Sequence, residues 1–280
     1  MHKWLILAIA FLVAGGAGAD VPDPIDAPEV TVCGAVRERL AFWSWSRVAG
    51  SPDPARAAAV PGAEAVAHVT RDGRRLAGYR LPSAAPDGVT RRTVLVVGGN
   101  AMLADQILGE LTVLSNAGLE VFVFDYRGYG ASEGRSRLLA IIGDQVELAR
   151  RLADEGQGPL ALWGISMGGI VLANALPHLR EQEQPERFVI DGSPARIAGF
   201  GCPPAFDPVV NLPPDTSGFL FVGGDRDSVV PVATSREMIE AIEAGGGQAV
   251  VRADFAHPFM DRDIAVHQER LRLIAEFLRD

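Results

Sequence analysis

The sequence predicts an α/β fold, with a mostly parallel central sheet covered by helices on both faces. Two observations predict it. From residue 93 onward, short apolar and β-branched runs alternate with longer segments of helical character, which is typical of parallel sheets with crossover helices. These runs are apolar at successive positions, as strands buried on both faces are. The chain has 280 residues, 48% of them hydrophobic, which suffices for one large domain with a substantial core.

The predicted elements begin with a hairpin. Residues 64–70 alternate apolar and polar side chains, residues 71–74 form a turn, and residues 76–81 return as the second strand. Ligand sites in the sheet that follows are expected at the carboxyl ends of its strands. The predicted strands of that sheet are 93–97, 120–124, 159–164, 187–191, 218–222 and 248–252. The predicted helices are 102–117, 138–155, 166–176, 232–244 and 261–278.

The first residues are typical of an export signal. His2 and Lys3 precede a continuous apolar run at 4–13, and small residues follow it up to Ala19. The last three of these fit a signal-peptidase site, and the apolar run is too short for a stable membrane span. We therefore predict a signal peptide at 1–19 and an exported bacterial protein, periplasmic or secreted, with an uncleaved anchor as the alternative.

Residues 20–60 are rich in proline and alanine and contain a predicted helix at 35–48. We interpret them as an N-terminal extension that packs on a main domain formed by residues 61–280. Cys33 in the extension and Cys202 in a proline-rich loop are the two cysteines of the chain. Export favours a disulfide between them over two unpaired thiols. Histidine and cysteine do not cluster with metal-ligand spacing, and we expect no metal and no cofactor.

The charged residues exclude several classes of function. Lys3 is the only lysine, and it lies in the predicted signal peptide, so Schiff-base and P-loop lysine chemistry are excluded. The net charge is −9, without a basic block, which argues against nucleic acid as a partner. The same balance disfavours docking on anionic lipid.

The strongest motif is G-x-S-x-G, present as Gly164-Ile165-Ser166-Met167-Gly168. It follows a predicted strand and precedes a predicted helix, which is the context that a nucleophile elbow requires. A sharp turn there exposes the serine Oγ, and the helix directs its N-terminal N–H groups at the same point. A surface serine in a glycine-rich turn is the alternative interpretation.

Together with two other segments, this motif resembles the α/β-hydrolase superfamily. Residues 124–134, Phe-Asp-Tyr-Arg-Gly-Tyr-Gly-x-Ser-x-Gly, are similar to a strand-end segment of the branch that includes serine-aminopeptidase-like hydrolases and α/β-hydrolase domain-containing proteins. That branch often has His-Gly-Asn-Ala after its first central strand, and here residues 98–101 are Gly-Gly-Asn-Ala. The resemblance covers residues 65–278 and implies an α/β-hydrolase fold.

The resemblance also implies a serine–histidine–aspartate triad, in the chain order serine, acid, histidine. The motif G-x-x-D-x-x-V-P assigns the acid to Asp227, with Asp225 as the alternative. His257 follows the last predicted strand and is the expected base, while His267 lies within the closing helix.

The oxyanion donors implied by the resemblance are the backbone N–H groups of Met167 and Asn100, with Ala101 as the alternative to Asn100. Gly98 stands where the family has the histidine that braces this loop. Asp125, Arg127 and Asp144 are interpreted as structural residues.

These residues predict an exported serine hydrolase that cleaves carboxylic ester or thioester bonds through an acyl-enzyme. Its partner is expected to be a small-molecule or acylated substrate. A serine peptidase or acyltransferase using the same triad, and a non-catalytic binding protein with this fold, are the alternatives. The proline-rich segment between residues 191 and 218 is too short for a helical lid, so a minimal lid is expected. Trp43, Trp45, Phe200 and Phe206 either line an acyl site or pack in the core.

Overall fold

The computed structural model describes residues 22–86, 92–156 and 158–280. In these residues, eight strands form one sheet in the order β1-β2-β4-β3-β5-β6-β7-β8. The first two strands form the predicted antiparallel hairpin, β2 pairs antiparallel with β4, and every pairing from β4 to β8 is parallel. The strands are β1 Glu64–Val69, β2 Arg75–Leu81, β3 Thr93–Val97, β4 Glu120–Phe124, β5 Leu160–Ile165, β6 Arg187–Asp191, β7 Phe219–Gly224 and β8 Gln248–Arg252.

Helices cover both faces of this sheet, which confirms the predicted fold class. The helices are α1 Ala35–Ala49, α2 Pro54–Ala58, α3 Ala104–Ile107, α4 Thr112–Asn116, α5 Leu138–Glu155, α6 Met167–Ala175, α7 Arg236–Ala244 and α8 Ile264–Arg279. One core forms between the sheet and α1, α5, α6 and α7, and a second forms with α3, α4 and α8. Successive residues of β3 illustrate this arrangement, since Leu95 and Val97 belong to the first core and Val94 and Val96 to the second.

The predicted helix at 102–117 is wrong in one respect, because two short helices, α3 and α4, occupy this segment. Residues 108–111 form turns between them, and Gly109 lies in those turns. Glycine weakens a continuous helix at this point. The buried leucines Leu108, Leu111 and Leu114 remain on the core side in spite of the break.

The N-terminal extension packs on the rest of the chain through α1. Phe42 and Ala49 of this helix are buried in the first core. Glu38 is buried as well, and its carboxylate accepts hydrogen bonds from the N–H groups of Val32, Cys33 and Leu138 at 2.6–3.0 Å. These three hydrogen bonds to a charged acceptor offset the cost of removing the carboxylate from water.

Two further links tie α1 to the connections that follow β3 and β6 at the carboxyl edge of the sheet. The Gln106 side chain donates a hydrogen bond to the carbonyl of Ala49 at 2.8 Å, at the end of α1. Cys33, just before α1, forms a disulfide with Cys202 in the β6–β7 loop. Within the described residues, no helix is long and apolar enough to cross a bilayer. The predicted signal peptide at 1–19 lies outside the described residues.

Candidate active site

Ser166 lies between β5 and α6 in a backbone conformation that residues other than glycine rarely adopt, with φ 53° and ψ −113°. Its own backbone hydrogen bonds hold it there. The Ser166 N–H donates to the carbonyl of Asp191 at 2.7 Å, and the Ser166 carbonyl accepts from the Gly169 N–H at 3.0 Å and from the Ser193 hydroxyl at 2.6 Å. Strain of this kind persists only where the surrounding structure enforces it.

The glycines around Ser166 are required by close approaches of the backbone. A Cβ at Gly168 would lie 1.9 Å from the carbonyl oxygen of Val97 in β3. One at Gly164 would lie 2.5 Å from the Cα of Gly169, and one at Gly169 would lie 2.1 Å from the Ser193 Oγ. The sharp strand-to-helix turn is therefore compatible only with glycine at these three positions.

Asp227 and His257 are joined by a hydrogen bond of 2.7 Å between Asp227 Oδ2 and His257 Nδ1. Both side chains are buried. The other oxygen of Asp227 accepts the backbone N–H groups of Val229 and Val230 at 2.8 and 2.7 Å, which fixes the carboxylate in the loop after β7. Asp225, the alternative acid, is exposed. The structure therefore pairs His257 with Asp227 and not with Asp225.

The loops that carry these residues lie together at the carboxyl edge of the sheet. Ser166 follows β5, Asp227 follows β7, and His257 follows β8. Gly192, after the intervening β6, lies against the loops of the acid and the base, since a Cβ there would lie 2.6 Å from Cδ of Pro258 and 3.5 Å from Oδ2 of Asp227. The Ser166 hydroxyl itself has no hydrogen-bond partner within the described part of the chain.

His267, the alternative base, is engaged elsewhere. Its Nε2 lies 2.6 Å from Oε2 of Glu110, and its ring packs edge-on against Phe259 at 5.4 Å. The hydrogen bond to Glu110 outweighs burial and raises the pKa of His267 above its usual value. His267 is thus held in an ion pair on α8, whereas His257 lies at the edge that carries Ser166.

The backbone N–H groups predicted as oxyanion donors make no hydrogen bond to another group. Those of Met167, Asn100 and the alternative Ala101 all have no acceptor within the described residues. The loop after β3 that carries Asn100 approaches the serine closely, because a Cβ at Gly99 would lie 3.6 Å from Cβ of Ser166. The next residue, Ala101, has φ 54°, which marks a tight turn.

The end of β4 braces this loop. The Tyr126 hydroxyl donates to the carbonyl of Gly98 at 2.5 Å, and Asp125 Oδ1 accepts the Ala104 N–H at 2.8 Å. Burial raises the pKa of Asp125 to about 6. Tyr126 and Asp125 therefore anchor the segment after β3 from the β4 side. This chain has Gly98 where the family has a bracing histidine.

Arg127 and Asp144 have the structural contacts expected of them. Arg127 donates to Asp144 at 2.7 Å and to Asp72 at 3.0 Å, and this joins the β4 end to α5 and to the hairpin turn.

Of the four aromatic residues considered for an acyl site, Phe206 is buried and Trp45 packs against Phe42. Trp43 and Phe200 are exposed, at 60% and 66%.

The sequence analysis missed a buried ionic cluster behind the site. Arg270 of α8 is 1% exposed and donates to Oδ1 of Asp191 at 2.8 Å and to the carbonyl of Ala256. Its Nε lies 3.2 Å from Oδ2 of Asp261, whose Oδ1 accepts the Ala256 N–H at 2.7 Å. Asp191 also accepts the Ser166 N–H through its backbone, so the cluster connects the elbow with the residue before His257.

A sequence signal for this cluster exists in retrospect. Asp191 is a charged residue that ends a run of apolar strand residues, and Arg270 lies among the apolar residues of the closing helix. Burial raises the pKa of Asp191 against the opposing effect of Arg270. In the described residues, no group of three or more His, Cys, Asp or Glu side chains is placed to hold a metal ion.

The eight-stranded sheet and the turn at Ser166 between β5 and α6 form an α/β-hydrolase fold, and the comparisons with known proteins point to the same superfamily. The serine aminopeptidase family S33 matches residues 88–204. The Mycobacterium tuberculosis protein Rv2307c, which is uncharacterised, is 26% identical over 241 residues, covering 76% of this chain and 82% of that protein. The lysophosphatidylserine lipase ABHD12 of Gallus gallus is 33% identical over 110 residues, covering 38% of this chain and 29% of that protein.

Solved structures share the fold at low identity. The Pyrococcus furiosus esterase Pf2001 superposes with a TM-score of 0.61 and 18% identity, covering 82% of this chain and 96% of its own. Esterase 2 of Thermogutta terrifontis, phosphorylated by paraoxon, superposes with a TM-score of 0.63 and 20% identity, covering 78% of this chain and 94% of its own. XC6422 of Xanthomonas campestris, described as a serine hydrolase without a lid, superposes with a TM-score of 0.58 and 21% identity, covering 76% of this chain and 93% of its own. Here too, short 3₁₀ turns rather than a helical lid occupy the described segment between β6 and β7.

Proposed function

We propose that this hydrolase cleaves carboxylic ester or thioester bonds with Ser166 as nucleophile, His257 as base and Asp227 as the orienting acid. The observation that carries the proposal is the Asp227–His257 hydrogen bond at the sheet edge where the strained elbow presents Ser166. Asp227 accepts the Nδ1–H, so Nε2 of the neutral imidazole is left to take a proton.

In the proposed reaction, His257 Nε2 removes the Ser166 hydroxyl proton while Oγ attacks the carbonyl carbon of the substrate. The Met167 and Asn100 N–H groups bind the oxygen that becomes negative, a type of contact worth about 3 kcal/mol per donor in barrier height. The imidazolium then gives its proton to the leaving alcohol or thiol, which leaves an acyl-serine. Water then gives a proton to His257 while its oxygen attacks the acyl carbon. The bond between that carbon and Ser166 Oγ breaks, the carboxylic acid leaves, and His257 returns the proton to Oγ.

The ester class is supported by three neighbours. Two solved structures of the same fold are named esterases, and ABHD12 is named a lysophosphatidylserine lipase. The described residues between β6 and β7 form no helical lid over the sheet edge that carries Ser166. A peptidase reaction on the same triad is the second candidate, because the matching family is described as serine aminopeptidase.

The same proposal includes export, with a signal peptide at 1–19, the extension at 20–60 and the hydrolase domain at 61–280. A periplasmic or secreted location is supported by the Cys33–Cys202 disulfide, since disulfides persist in oxidising compartments. Mass spectrometry of the N-terminal peptide from protein exported by a bacterial host tests it. We expect the mature chain to begin at Asp20, and a chain that retains Met1 and the apolar run would refute the cleavage.

The chemistry is tested by hydrolysis of p-nitrophenyl esters of increasing acyl length, beside matching thioesters and aminoacyl p-nitroanilides. We expect Ser166→Ala to abolish ester turnover and Ser228→Ala, an exposed serine on the acid loop, to leave it unchanged. Undiminished turnover in Ser166→Ala would refute the nucleophile. Turnover of the anilides alone would replace the esterase proposal with the peptidase. Substrate binding without turnover in the parent protein would indicate a binding protein.

A further inference from the structure

Helix α1 has a buried inner face and, on its opposite side, an exposed apolar stripe that has no partner in the described residues. Glu38, Phe42 and Ala49 form the inner face and are buried. Val36, Leu40 and Trp43 repeat at intervals of four and three, so they form a stripe on the other side of the helix. These three side chains are 73%, 58% and 60% exposed. Packing against the domain explains the inner face but not the stripe.

A fourth exposed apolar residue lies beside this helix. Phe200, in the β6–β7 loop, is 66% exposed. It is held next to α1 by a hydrogen bond of 2.7 Å from the Arg37 guanidinium to the Phe200 carbonyl, and by the nearby disulfide. We call Val36, Leu40, Trp43 and Phe200 the outer apolar surface. Exposed large apolar groups that are gathered in this way mark interaction sites.

The charges on α1 are opposite in sign to those of the whole protein. The helix carries Arg37, Arg39 and Arg47, all exposed, and its one acid, Glu38, is buried with its carboxylate bonded to backbone N–H groups. None of the three arginines pairs with a carboxylate among the described residues. Arg37 and Arg39 flank the stripe, and Arg47 lies over the Trp43 ring at 5.6 Å. The chain as a whole has a net charge of −9.

We propose that the outer apolar surface and these arginines dock the protein on an anionic phospholipid surface. Apolar side chains between arginines suit the boundary between acyl chains and headgroups, where guanidinium groups reach the phosphates. A second copy of the chain would fit poorly, because a symmetric contact through α1 would bring its unpaired arginines together. The negative charge of the whole chain disfavours lipid, but screening limits its reach to about 10 Å, so the local charge of α1 dominates at contact.

The docking would place the proposed active site at the lipid surface. The helix runs from the β6–β7 loop, joined through Cys33, to α3 in the β3–β4 connection, joined through Gln106. Both connections leave the sheet at the carboxyl edge that carries Ser166. The docking proposal goes beyond the proposed reaction and does not depend on it, since binding is measured without turnover.

Vesicle sedimentation tests the docking. The purified protein, its Ser166→Ala variant and surface variants are mixed with vesicles of phosphatidylcholine alone or of phosphatidylcholine with phosphatidylglycerol. We expect binding to the anionic vesicles that weakens with salt and is equal for Ser166→Ala. Trp43→Ser with Leu40→Ser should weaken it at least about tenfold. Arg39→Gln with Arg47→Gln should weaken it about thirtyfold, because each of the two charges contributes about 1 kcal/mol.

Matched controls are Val69→Ser and Ile264→Ser, which remove apolar side chains of equal exposure, 65% and 66%, from other parts of the surface. They should leave binding unchanged, and all variants should keep the thermal midpoint of the parent. Equal vesicle binding by the parent and the α1 variants would overturn the proposal, and would assign any binding to another segment such as residues 4–13. A dimer in size-exclusion chromatography that the α1 substitutions dissociate, without effect on vesicle binding, would also overturn it in favour of a second copy.

Discussion

Replacement of Arg270 by leucine tests the buried cluster behind the active site. The change leaves Asp191, 0% exposed, without its cationic partner, breaks the ion pair between Arg270 and Asp261, and removes a donor from the Ala256 carbonyl. Removing one member of a buried ion pair costs about 3–5 kcal/mol. Because domains are stable by about 5–15 kcal/mol, Arg270→Leu should lose a large part of the free energy of unfolding.

The assay is urea unfolding of parent, Arg270→Leu and Arg272→Leu. Arg272 is the matched control, since it is on the same helix, is 61% exposed and pairs with Glu269 at 2.8 Å. An exposed pair of this kind contributes about 1 kcal/mol or less. A loss below about 1 kcal/mol in Arg270→Leu, equal to that in Arg272→Leu, would refute the interpretation of the cluster as a buried ionic support.

The same variant should show a characteristic pH dependence. Burial already raises the pKa of Asp191, and without Arg270 it should rise further. A carboxyl whose pKa is higher in the folded than in the unfolded state stabilises the fold below its unfolded pKa, and this stabilisation is lost as the pH rises through the folded value. The stability deficit of Arg270→Leu should therefore be smallest near pH 4 and largest at neutral pH. A deficit independent of pH would contradict this mechanism.

Three further predictions concern the site and the extension. Asp227→Asn should lower kcat about 10⁴-fold in ester hydrolysis, because the amide no longer holds the His257 tautomer. Circular dichroism should show an unchanged fold, and a loss of kcat below about tenfold would point to another acid. Tyr126→Phe removes the donor to the Gly98 carbonyl and should lower kcat about fivefold with KM unchanged, about 1 kcal/mol for one hydrogen bond; unchanged kcat would show that the loop needs no such brace. Cys33→Ser should lower the free energy of unfolding by about 2–5 kcal/mol, because the Cys33–Cys202 bridge closes a loop with a sequence separation of 169; equal chemical denaturation of this variant and the parent would show that the bridge adds no stability.

Much of the fold could be predicted because its strands leave an unambiguous pattern. The strands at Thr93–Val97, Glu120–Phe124 and Arg187–Asp191 agree residue for residue with the apolar runs in the sequence. A strand buried on both faces admits few polar residues, so its limits are visible in composition. The division of the predicted helix 102–117 into α3 and α4 leaves no such pattern. Its leucines pack in the core on either side of the turn around Gly109, so their spacing does not show the break.

The candidate site was predictable where the backbone demands one residue type. Gly164, Gly168 and Gly169 are recognisable because a Cβ would collide with neighbouring atoms. The Asp191–Arg270–Asp261 cluster could not be predicted in the same way, since its members are far apart in sequence and meet only through packing of α8 on the sheet. Nor does the sequence show that Trp43 faces outward and Phe206 inward, because both are aromatic residues in irregularly patterned segments.

The central claim is that Ser166 is the nucleophile and that His257 activates it. The most direct measurement is peptide mapping by mass spectrometry after reaction with paraoxon, a reagent that phosphorylates the structural neighbour esterase 2 of Thermogutta terrifontis. We expect one diethyl phosphate per chain on the peptide that contains Ser166, none in Ser166→Ala, and a rate at least about 10³-fold lower in His257→Ala. Phosphorylation at another residue, or ester turnover that persists in Ser166→Ala, would contradict the account.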